Sequence, residues 1–425
     1  MSYVSNVLNM LQKIHYFLLT ISFLCFNLVE SEAQDKSLGW FLKKQKSQEL
    51  PFYTVHNLII IPISINNSDT LRFILDTGVR TTIISEMSYR DSLGLYAVGR
   101  IKMNGYGSGE SLEALVSDNN QLVVGRVRYD SQRVLVLMQD VFSLSQKMGI
   151  QVHGIIGYEV FKDFVVEIDY EHEVVKFHDA SKHYKRHSSK NTPYLPITIE
   201  KEKPYVQAFT KLSNDSLVSL KLLVDTGGSH ALWLFKESTK HIEHPPASLP
   251  VYLGRGLNGD VRGHLARFNA LFLDKYELRD ILVAYPDEAS LASTRIRKDV
   301  NGSIGAEILK RFNMTIDYTH QRLYIKPNKF FYKPFEHNMS GMEVCAPYPN
   351  LPIFVVNEIK PGSPAEEAGL QTDDQIVSMG SFRLHQLTLN RINSLLAKED
   401  GKKVRVRVLR NGKGSTHIIT LKRLI

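Results

Sequence analysis

The middle of this 425-residue chain contains one unit twice. Three blocks recur in the same register: FILDTG (73–78) and LLVDTG (222–227), GYG (105–107) and GRG (254–256), and residues 154–177 and 302–325. The offset is 149 from Asp76 to Asp225 and 148 from Gly157 to Gly305. A single Asp-Thr-Gly triplet arises easily by chance, but three matched landmarks indicate a duplication. The chain must therefore fold as two similar units that face each other.

Each copy is predicted to be mostly β-structure. Valine, isoleucine, tyrosine and phenylalanine recur in short runs that Gly, Asn and Asp interrupt, which is the pattern of strands and turns. The first copy spans residues 51–180 and the second spans 192–328. Residues 181–191 between them are polar and charged and predict an exposed linker. We interpret His183 and His187 in this linker as a solvated pair, and no metal site or cofactor is predicted.

The two triplets place a carboxylate directly after an apolar strand in each copy. Asp76 and Asp225 are therefore expected to be buried on at least one side, where a lone charge is costly. Two carboxylates that face each other across a pseudo-two-fold axis share one proton and titrate as a pair. The ionised member can then take a proton from a water that attacks a peptide carbonyl, while the protonated member stabilises the oxyanion.

The residues after each acid are expected to build the loops that hold it. Gly78 and Gly227 let the backbone turn tightly, so that an N–H can approach the carboxylate. The hydroxyls of Thr77 and Thr226 are predicted to form hydrogen bonds across the pseudo-axis and to fix the two loops relative to each other.

These motifs, each followed by an apolar-Gly block (GIIG or GSIG), resemble the two halves of a pepsin/retropepsin-type aspartic protease. The resemblance implies a mostly β fold of two retropepsin-like barrel lobes related by pseudo-two-fold symmetry. It also implies catalysis by Asp76 and Asp225 in a cleft that binds six to eight residues of extended peptide, with apolar side chains at the scissile bond. Val79 and Gly228 stand where pepsin-like enzymes place a hydroxyl, so we expect a less acidic working pH than pepsin's. Val79 and Arg80 depart from the family pattern and leave the substrate contacts of the first lobe open.

Both copies contain a glycine-rich hairpin candidate, at 104–109 and 254–259. In the first, Tyr106 lies between Gly105 and Gly107 at the predicted tip. Tyr106 is either a flap residue that closes over the substrate or an ordinary exposed aromatic residue of a turn.

The remaining segment, 338–425, has a different composition and resembles a PDZ domain through LPIFVVNEIKPGSPAEEAGL (351–370). This small α+β domain is expected to accept a peptide by β-augmentation along IFVVNEI, with a helix around 388–398 as the other wall. The predicted groove residues are Leu351, Ile353, Phe354 and Val355. Pro352 offers no N–H, which argues against capture of a C-terminal carboxylate. The alternative is a packing domain that binds nothing.

The N-terminus has the pattern of an export signal. Residues 16–29 are apolar, Lys13 precedes them and small residues end at Ala33, which predicts a signal peptide over 1–33 and an N-terminal segment over 34–50. Fourteen apolar residues fall short of the roughly 20 that span a bilayer, and an uncleaved anchor is the alternative. We expect an exported protein, periplasmic, envelope-bound or secreted, and the combination resembles bacterial cell-envelope proteins, notably those of the Bacteroidetes.

Charge and motifs argue against other functions. The net charge of +8 is spread over the chain without a nucleic-acid-binding module. Gly-x-Ser-x-Gly and His-Glu-x-x-His do not occur. Cys345 is interpreted as a small buried or half-buried residue rather than a nucleophile, and Cys25 lies in the apolar signal. The sequence thus predicts a monomeric aspartic endopeptidase whose PDZ domain recruits or gates peptide substrate. The alternatives are an inactive peptide-binding protein and a structural envelope protein.

Overall fold

The computed structural model describes residues 39–42, 47–85, 93–189, 192–211, 216–239, 241–242, 247–292 and 299–423. The predicted signal peptide and Cys25 lie outside these ranges. Within them, no helix is both long enough and apolar enough to cross a bilayer.

The first lobe is a closed β-barrel. Six strands form its ring in the order β4-β5-β10-β6-β9-β8, and β8 returns to pair with β4. Strands β5 and β10 are parallel neighbours inside the sheet, which explains why the residues Phe73 to Leu75 of β5 are all apolar and buried. The elements of this lobe are β1 (Trp40–Phe41), β2 (Ser47–Pro51), β3 (Tyr53–Val55), β4 (Leu58–Ile65), β5 (Leu71–Leu75), β6 (Thr82–Ile84), β7 (Ala97–Met103), β8 (Leu112–Val124), β9 (Val127–Leu137), α1 (Leu144–Met148), β10 (Gly154–Ile156), α2 (Tyr158–Phe161), β11 (Phe164–Asp169) and β12 (Val174–Asp179).

The second lobe repeats the barrel strand for strand. Its ring is β14-β15-β20-β16-β19-β18, closed by pairing of β18 with β14. Each ring strand therefore has its counterpart ten strands earlier. The elements are α3 (Ala180–Ser189), β13 (Leu195–Glu200), β14 (Lys203–Lys211), β15 (Leu217–Val224), β16 (Leu232–Leu234), a 3₁₀ turn (Lys236–Ser238), β17 (Ser248–Gly256), β18 (Gly259–Leu273), β19 (Tyr276–Pro286), α4 (Glu288–Leu291), β20 (Gly302–Ile304), α5 (Ala306–Leu309), β21 (Phe312–Asp317) and β22 (Arg322–Pro327).

A shared sheet joins the two lobes. The last two strands of each copy meet in the antiparallel order β12-β11-β21-β22, with Val166 opposite Ile316 at the junction. Strands β2 and β13 pair with the two outer strands, β12 and β22. The inward residues of these strands belong to one apolar core that continues into both barrels. The predicted fold class, mostly β with two related barrel lobes and a small α+β domain, is confirmed.

The connection between the lobes differs from the predicted linker. Residues Ala180–Ser189 form the helix α3. His183 is only 8% exposed and packs against His178 and Tyr324, with ring centroids 5.3 and 6.0 Å away. The interpretation of His183 as solvated is therefore wrong, because the rings of His178 on β12 and Tyr324 on β22 cover it.

The C-terminal domain is a separate sheet with its own apolar core. Its strand order is β23-β24-β25-β27-β28, with β26 beside β25. Ser363 caps the helix α6 by accepting a hydrogen bond from the Glu366 N–H, and Pro364 occupies its first turn. The elements are β23 (Met342–Cys345), β24 (Phe354–Ile359), α6 (Pro364–Glu367), β25 (Gln375–Met379), β26 (Phe382–Arg383), a 3₁₀ turn (Leu384–Gln386), α7 (Leu389–Leu396), β27 (Lys403–Arg410) and β28 (Lys413–Thr420).

The predicted peptide-accepting edge is not an edge. Strand β24, which contains Phe354 and Val355, pairs with β23 on one side and with β25 on the other. The edge strand is β23, whose apolar residue Met342 is buried in the domain core. Leu351 is 53% exposed in the loop before β24, and Ile353 follows it in the same loop. The groove assignment to these four residues is therefore wrong, because the short strand β23 covers the side of β24 that was expected to be open.

Candidate active site

The barrels place both acids in the same local structure. Strand β5 ends at Leu75, and the N–H of Asp76 donates to the carbonyl of Ile156 at 2.9 Å. In the second lobe the N–H of Asp225 donates to Ile304 at the same distance. Each acid therefore follows a buried strand and is anchored to the parallel strand beside it.

The two carboxyl groups lie in one buried site, and both aspartates are 0% exposed. The Gly78 N–H donates to Oδ1 of Asp76 at 2.6 Å, and the Gly227 N–H donates to Oδ1 of Asp225 at 3.1 Å. A Cβ added to Gly227 would lie 2.1 Å from Cγ of Asp76, so only glycine fits there. The carboxyl group of the first lobe thus rests directly on the loop that carries the acid of the second.

This environment favours a proton on the pair. Burial, followed by the negative charge of Asp225, raises the pKa of Asp76 well above its ordinary value, while the N–H groups of Gly78 and Gly227 and the charge of Lys203 act in the opposite direction. Oδ2 of Asp76 is buried and forms no hydrogen bond within the described part of the chain. An acid of this kind holds a proton at a pH where an exposed aspartate has lost it.

The threonines connect the two loops as predicted from the sequence. The N–H of Thr77 donates to Oγ1 of Thr226, and the N–H of Thr226 donates to Oγ1 of Thr77, both at 3.0 Å. Each hydroxyl then donates across the lobe boundary, from Thr77 to the carbonyl of Val224 at 2.5 Å and from Thr226 to that of Leu75 at 2.9 Å. These four bonds hold the two strand ends at a fixed separation.

The departure at Val79 and Arg80 has a structural explanation. Val79 is 0% exposed within the apolar interior of the first barrel. Arg80 forms an ion pair with Glu202, which lies in the β13–β14 turn of the other lobe, at 2.6 Å. At the equivalent place in the second lobe, the carbonyl of Ser229 accepts a hydrogen bond from Asn57 in the β3–β4 turn at 3.1 Å. Both positions therefore tie the lobes together.

The hairpin of the first lobe is docked onto the second. Tyr106 is 1% exposed, so the interpretation as an exposed turn aromatic is wrong, and its flap role remains a prediction. The Gly105 N–H donates to Oδ1 of Asn258 at 2.6 Å, and the Gly107 N–H donates to the Ser290 carbonyl at 2.9 Å. Gly107 has φ +119°, a conformation that favours glycine.

Two residues near the acids, the buried Lys203 and the half-buried His230, were missed in the sequence. Lys203 is 4% exposed at the first position of β14, and its charge lowers the pKa of Asp76. His230 lies 5.0 Å from the ring of Trp233, its Nε2 is 2.8 Å from the Ser303 hydroxyl, and burial lowers its pKa to about 3, so the ring is neutral. The position of Lys203 directly before the run PYV was the available signal for it, whereas nothing local distinguishes His230.

The C-terminal domain faces the lobes across a cavity of about 960 Å³. The cavity is bounded by Ser229 and Arg255 of the second lobe, by the edge strand β23, and by Asn390 and Asn393 of α7. Asn390 accepts a hydrogen bond from the His56 N–H at 3.2 Å. Cys345 also lines the cavity, and burial raises its pKa to about 11, which makes it a poor nucleophile as predicted.

Comparison with known proteins agrees with this architecture. Residues 61–160 match the family model described as aspartyl protease, and residues 336–421 match the PDZ domain model. The 26S proteasome non-ATPase regulatory subunit 9 of Homo sapiens is 47% identical over 58 residues, and that of Rattus norvegicus is 43% identical over the same length. These 58 residues are 13% of this chain and 26% of those proteins, so the chain spans about a quarter of the length of the curated relatives it matches.

Among solved structures, the aspartic proteinase from Irpex lacteus is similar with a TM-score of 0.45 and 16% identity, over 68% of this chain and 99% of that one. By the two family models, the chain combines an aspartyl protease region with a PDZ domain.

Proposed function

We propose that the protein is an aspartic endopeptidase that hydrolyses peptide bonds with the pair Asp76 and Asp225. The observation that carries this proposal is the single buried site in which the carboxyl group of Asp76 lies against Gly227, on the loop of Asp225. The reciprocal threonine bonds support it, because they hold both strand ends in place before substrate arrives.

Burial and the neighbouring negative charge favour one proton on the pair, and in the proposed mechanism Asp76 carries that proton at the start while Asp225 is ionised. A water gives a proton to Asp225 as its oxygen attacks the scissile carbonyl carbon, and the Asp76 proton moves to the carbonyl oxygen. In the second step, Asp225 protonates the leaving nitrogen while the C–N bond breaks. A hydroxyl of the tetrahedral intermediate returns its proton to Asp76, which restores the starting state without metal or covalent intermediate.

The PDZ domain is proposed to recruit or gate peptide substrate. Its edge strand β23 and its helix α7 border the cavity that Ser229 also lines, and Ser229 lies four positions after Asp225. An extended peptide added to β23 would therefore lie close to the loop of the second acid. We also propose that the protein is exported to the periplasm, the envelope or the medium. The support for export is the apolar N-terminal segment.

The proposal is tested with Asp76→Asn and Asp225→Asn in the full chain, assayed on a pool of unfolded proteins and by inhibition with a statine-type transition-state mimic. Each variant should lose at least about 10²-fold in cleavage rate, the smallest effect expected from removal of an acid–base group. Asp118→Asn is the matched control, because Asp118 pairs with Arg133 on the barrel surface. If Asp76→Asn cleaves as well as Asp118→Asn, cleavage does not depend on the aspartate pair and the proposed mechanism is wrong. If the unmodified protein cleaves nothing in the pool, the inactive peptide-binding alternative stands.

A further inference from the structure

The hairpin tips of the two lobes exchange places. Tyr106 of the first lobe belongs to an apolar cluster that is otherwise made by the second lobe. Leu257 of the second lobe belongs to a cluster made largely by the first lobe, beside Val79 and Met103. Tyr106 is 1% and Leu257 6% exposed, so both tips are buried in the opposite lobe. The exchange closes the space between the lobes from both sides.

A buried asparagine fastens the exchanged tips. Asn258 is 2% exposed, and its Oδ1 accepts the Gly105 N–H at 2.6 Å. Its own N–H donates to the Tyr106 carbonyl at 3.0 Å, and its carbonyl accepts the Gly109 N–H at 2.6 Å. These three hydrogen bonds of Asn258, two accepted and one donated, hold the tip of the first hairpin against the tip of the second.

The place that Tyr106 occupies, which we name the lobe-two pocket, has the composition of an aromatic side-chain site. The Tyr106 ring lies 5.2 Å from that of Trp233 at an interplanar angle of 60°, and 6.2 Å from that of Phe235. The pocket is lined by Tyr205, Leu223, Trp233, Phe235, Leu253 and Val261.

The lobe-two pocket also lies next to the proposed catalytic strand. Leu223 lies on β15 and Asp225 directly follows the end of that strand. Trp233 lies on β16, which pairs with β20, the parallel neighbour of β15. The ring of His230 lies 5.0 Å from that of Trp233, and a Cβ added to Gly228 would lie 2.4 Å from Cε1 of His230 and 2.8 Å from Oδ2 of Asp225, so the pocket and the acid are close in space. An extended peptide held over the acids would thus have a side chain within reach of this pocket.

We propose that Tyr106 is an internal stand-in for the substrate: in the substrate-free protein it fills the lobe-two pocket, which receives an aromatic side chain of the peptide beside the scissile bond. The inference rests on the proposed function for the position of the peptide. Substrate must then displace Tyr106 and open the Asn258 bonds, so the measured affinity is the intrinsic affinity reduced by the fraction of protein in which the pocket is open.

The test uses peptide binding rather than cleavage. The chain has two tryptophans, so Trp40→Phe leaves Trp233 as the single tryptophan and as a fluorescent reporter in the pocket. In that background, Asp76→Asn prevents turnover, and two peptides that differ only by Phe or Ala at one central position are titrated. Removal of the stand-in by Tyr106→Ala should tighten binding of the Phe peptide by roughly tenfold, if about a tenth of the parent protein is open, and should change binding of the Ala peptide much less.

Two variants make the result specific. Tyr106→Phe keeps the ring and should bind like the parent. Leu257→Ala weakens the exchanged hairpins without emptying the lobe-two pocket, and it should not produce a gain that is selective for the Phe peptide. The inference is overturned if Tyr106→Ala leaves Phe-peptide binding unchanged, or if Tyr106→Ala and Leu257→Ala tighten both peptides equally.

Failure of the two proposals can be told apart. If the unmodified protein cleaves no peptide but Tyr106→Ala gains the selective binding, hydrolysis is wrong and the pocket assignment stands. If the protein cleaves peptides and the selective gain is missing, the pocket assignment alone is wrong.

Discussion

The threonine pair that joins the two loops gives a stability prediction that can be worked from the structure. Replacing Thr77 by Val keeps the shape of the side chain but removes its hydroxyl. That hydroxyl accepts the Thr226 N–H at 3.0 Å and donates to the Val224 carbonyl at 2.5 Å, and both threonines are 0% exposed. Two buried backbone groups would lose their partners, at about 1–3 kcal/mol each, so we expect a loss of about 4 kcal/mol in the free energy of unfolding.

The assay is urea unfolding of the lobes, followed by Trp233 fluorescence in the Trp40→Phe background. Thr226→Val should cost a similar amount, because the Thr226 hydroxyl has the equivalent partners, the Thr77 N–H and the Leu75 carbonyl. The double variant should cost less than the sum of the two, since the two side chains share one network.

A matched control lies in the same lobe. Thr82 is also 0% exposed, but its hydroxyl forms no hydrogen bond within the described residues. Thr82→Val should therefore be neutral or stabilising, within about 1 kcal/mol. The reasoning is refuted if Thr77→Val loses no more stability than Thr82→Val.

Three further predictions concern buried charges. Burial raises the pKa of Glu159 to about 7, so the stabilisation from its protonation is full below pH 4.5 and is lost as the pH rises through 7. Glu159→Gln should therefore be more stable than the parent at pH 9, by a difference on the order of 3 kcal/mol in the free energy of unfolding. Thermal unfolding measured against pH checks this. Burial and Asp225 raise the pKa of Asp76 in the same sense, so Asp76→Asn should melt higher than the parent at neutral pH, and the difference should shrink as the pH falls toward 4; an unchanged difference would contradict the shared-proton site. Arg311 is 1% exposed and donates to the carbonyls of Phe330, Phe331 and Pro334, so Arg311→Met should make segment 330–335 more sensitive to limited proteolysis, whereas the more exposed Arg322→Met should not.

The repeat predicted the architecture because each copy contains its own strand pattern and its own acid. Matched blocks at offsets of 149 and 148 require two similar barrels, and the apolar run before each Asp-Thr-Gly triplet places the acid at the end of a buried strand. The bonds between the threonines also followed, because a pseudo-two-fold axis brings identical residues together at the axis. Features of the fold that depend on local sequence pattern and on the pseudo-two-fold symmetry could thus be predicted from the sequence.

The groove of the PDZ domain could not be predicted in the same way. IFVVNEI is the more apolar strand, and MEVC (342–345) is too short and too polar to predict a strand by itself. MEVC becomes a strand only because β24 offers a free row of backbone groups, and this is a tertiary effect. Likewise, nothing near Tyr106 in the sequence indicates that its ring lies between Trp233 and Phe235, more than 120 positions away.

The two copies have also diverged where they meet different neighbours. Glu159 and Glu307 hold equivalent places in the short helices after Gly157 and Gly305. Glu159 is buried and accepts a hydrogen bond from the Thr82 N–H at 3.0 Å, and burial raises its pKa. Glu307 instead accepts from Lys310 at 2.5 Å, Asn57 at 2.8 Å and Arg311 at 3.0 Å.

The turn that contains Asn57 explains the divergence, because this turn of the first lobe contacts both the second lobe and the PDZ domain. Asn57 binds Glu307 and the Ser229 carbonyl of the second lobe, while its neighbour His56 donates from its N–H to Asn390 of the PDZ domain. The equivalent turn of the second lobe contacts the first lobe through the ion pair of Glu202 with Arg80. The PDZ domain thus contacts the same turn that joins the first lobe to Glu307 and Ser229 of the second lobe, so this turn has partners that its counterpart in the second lobe does not need.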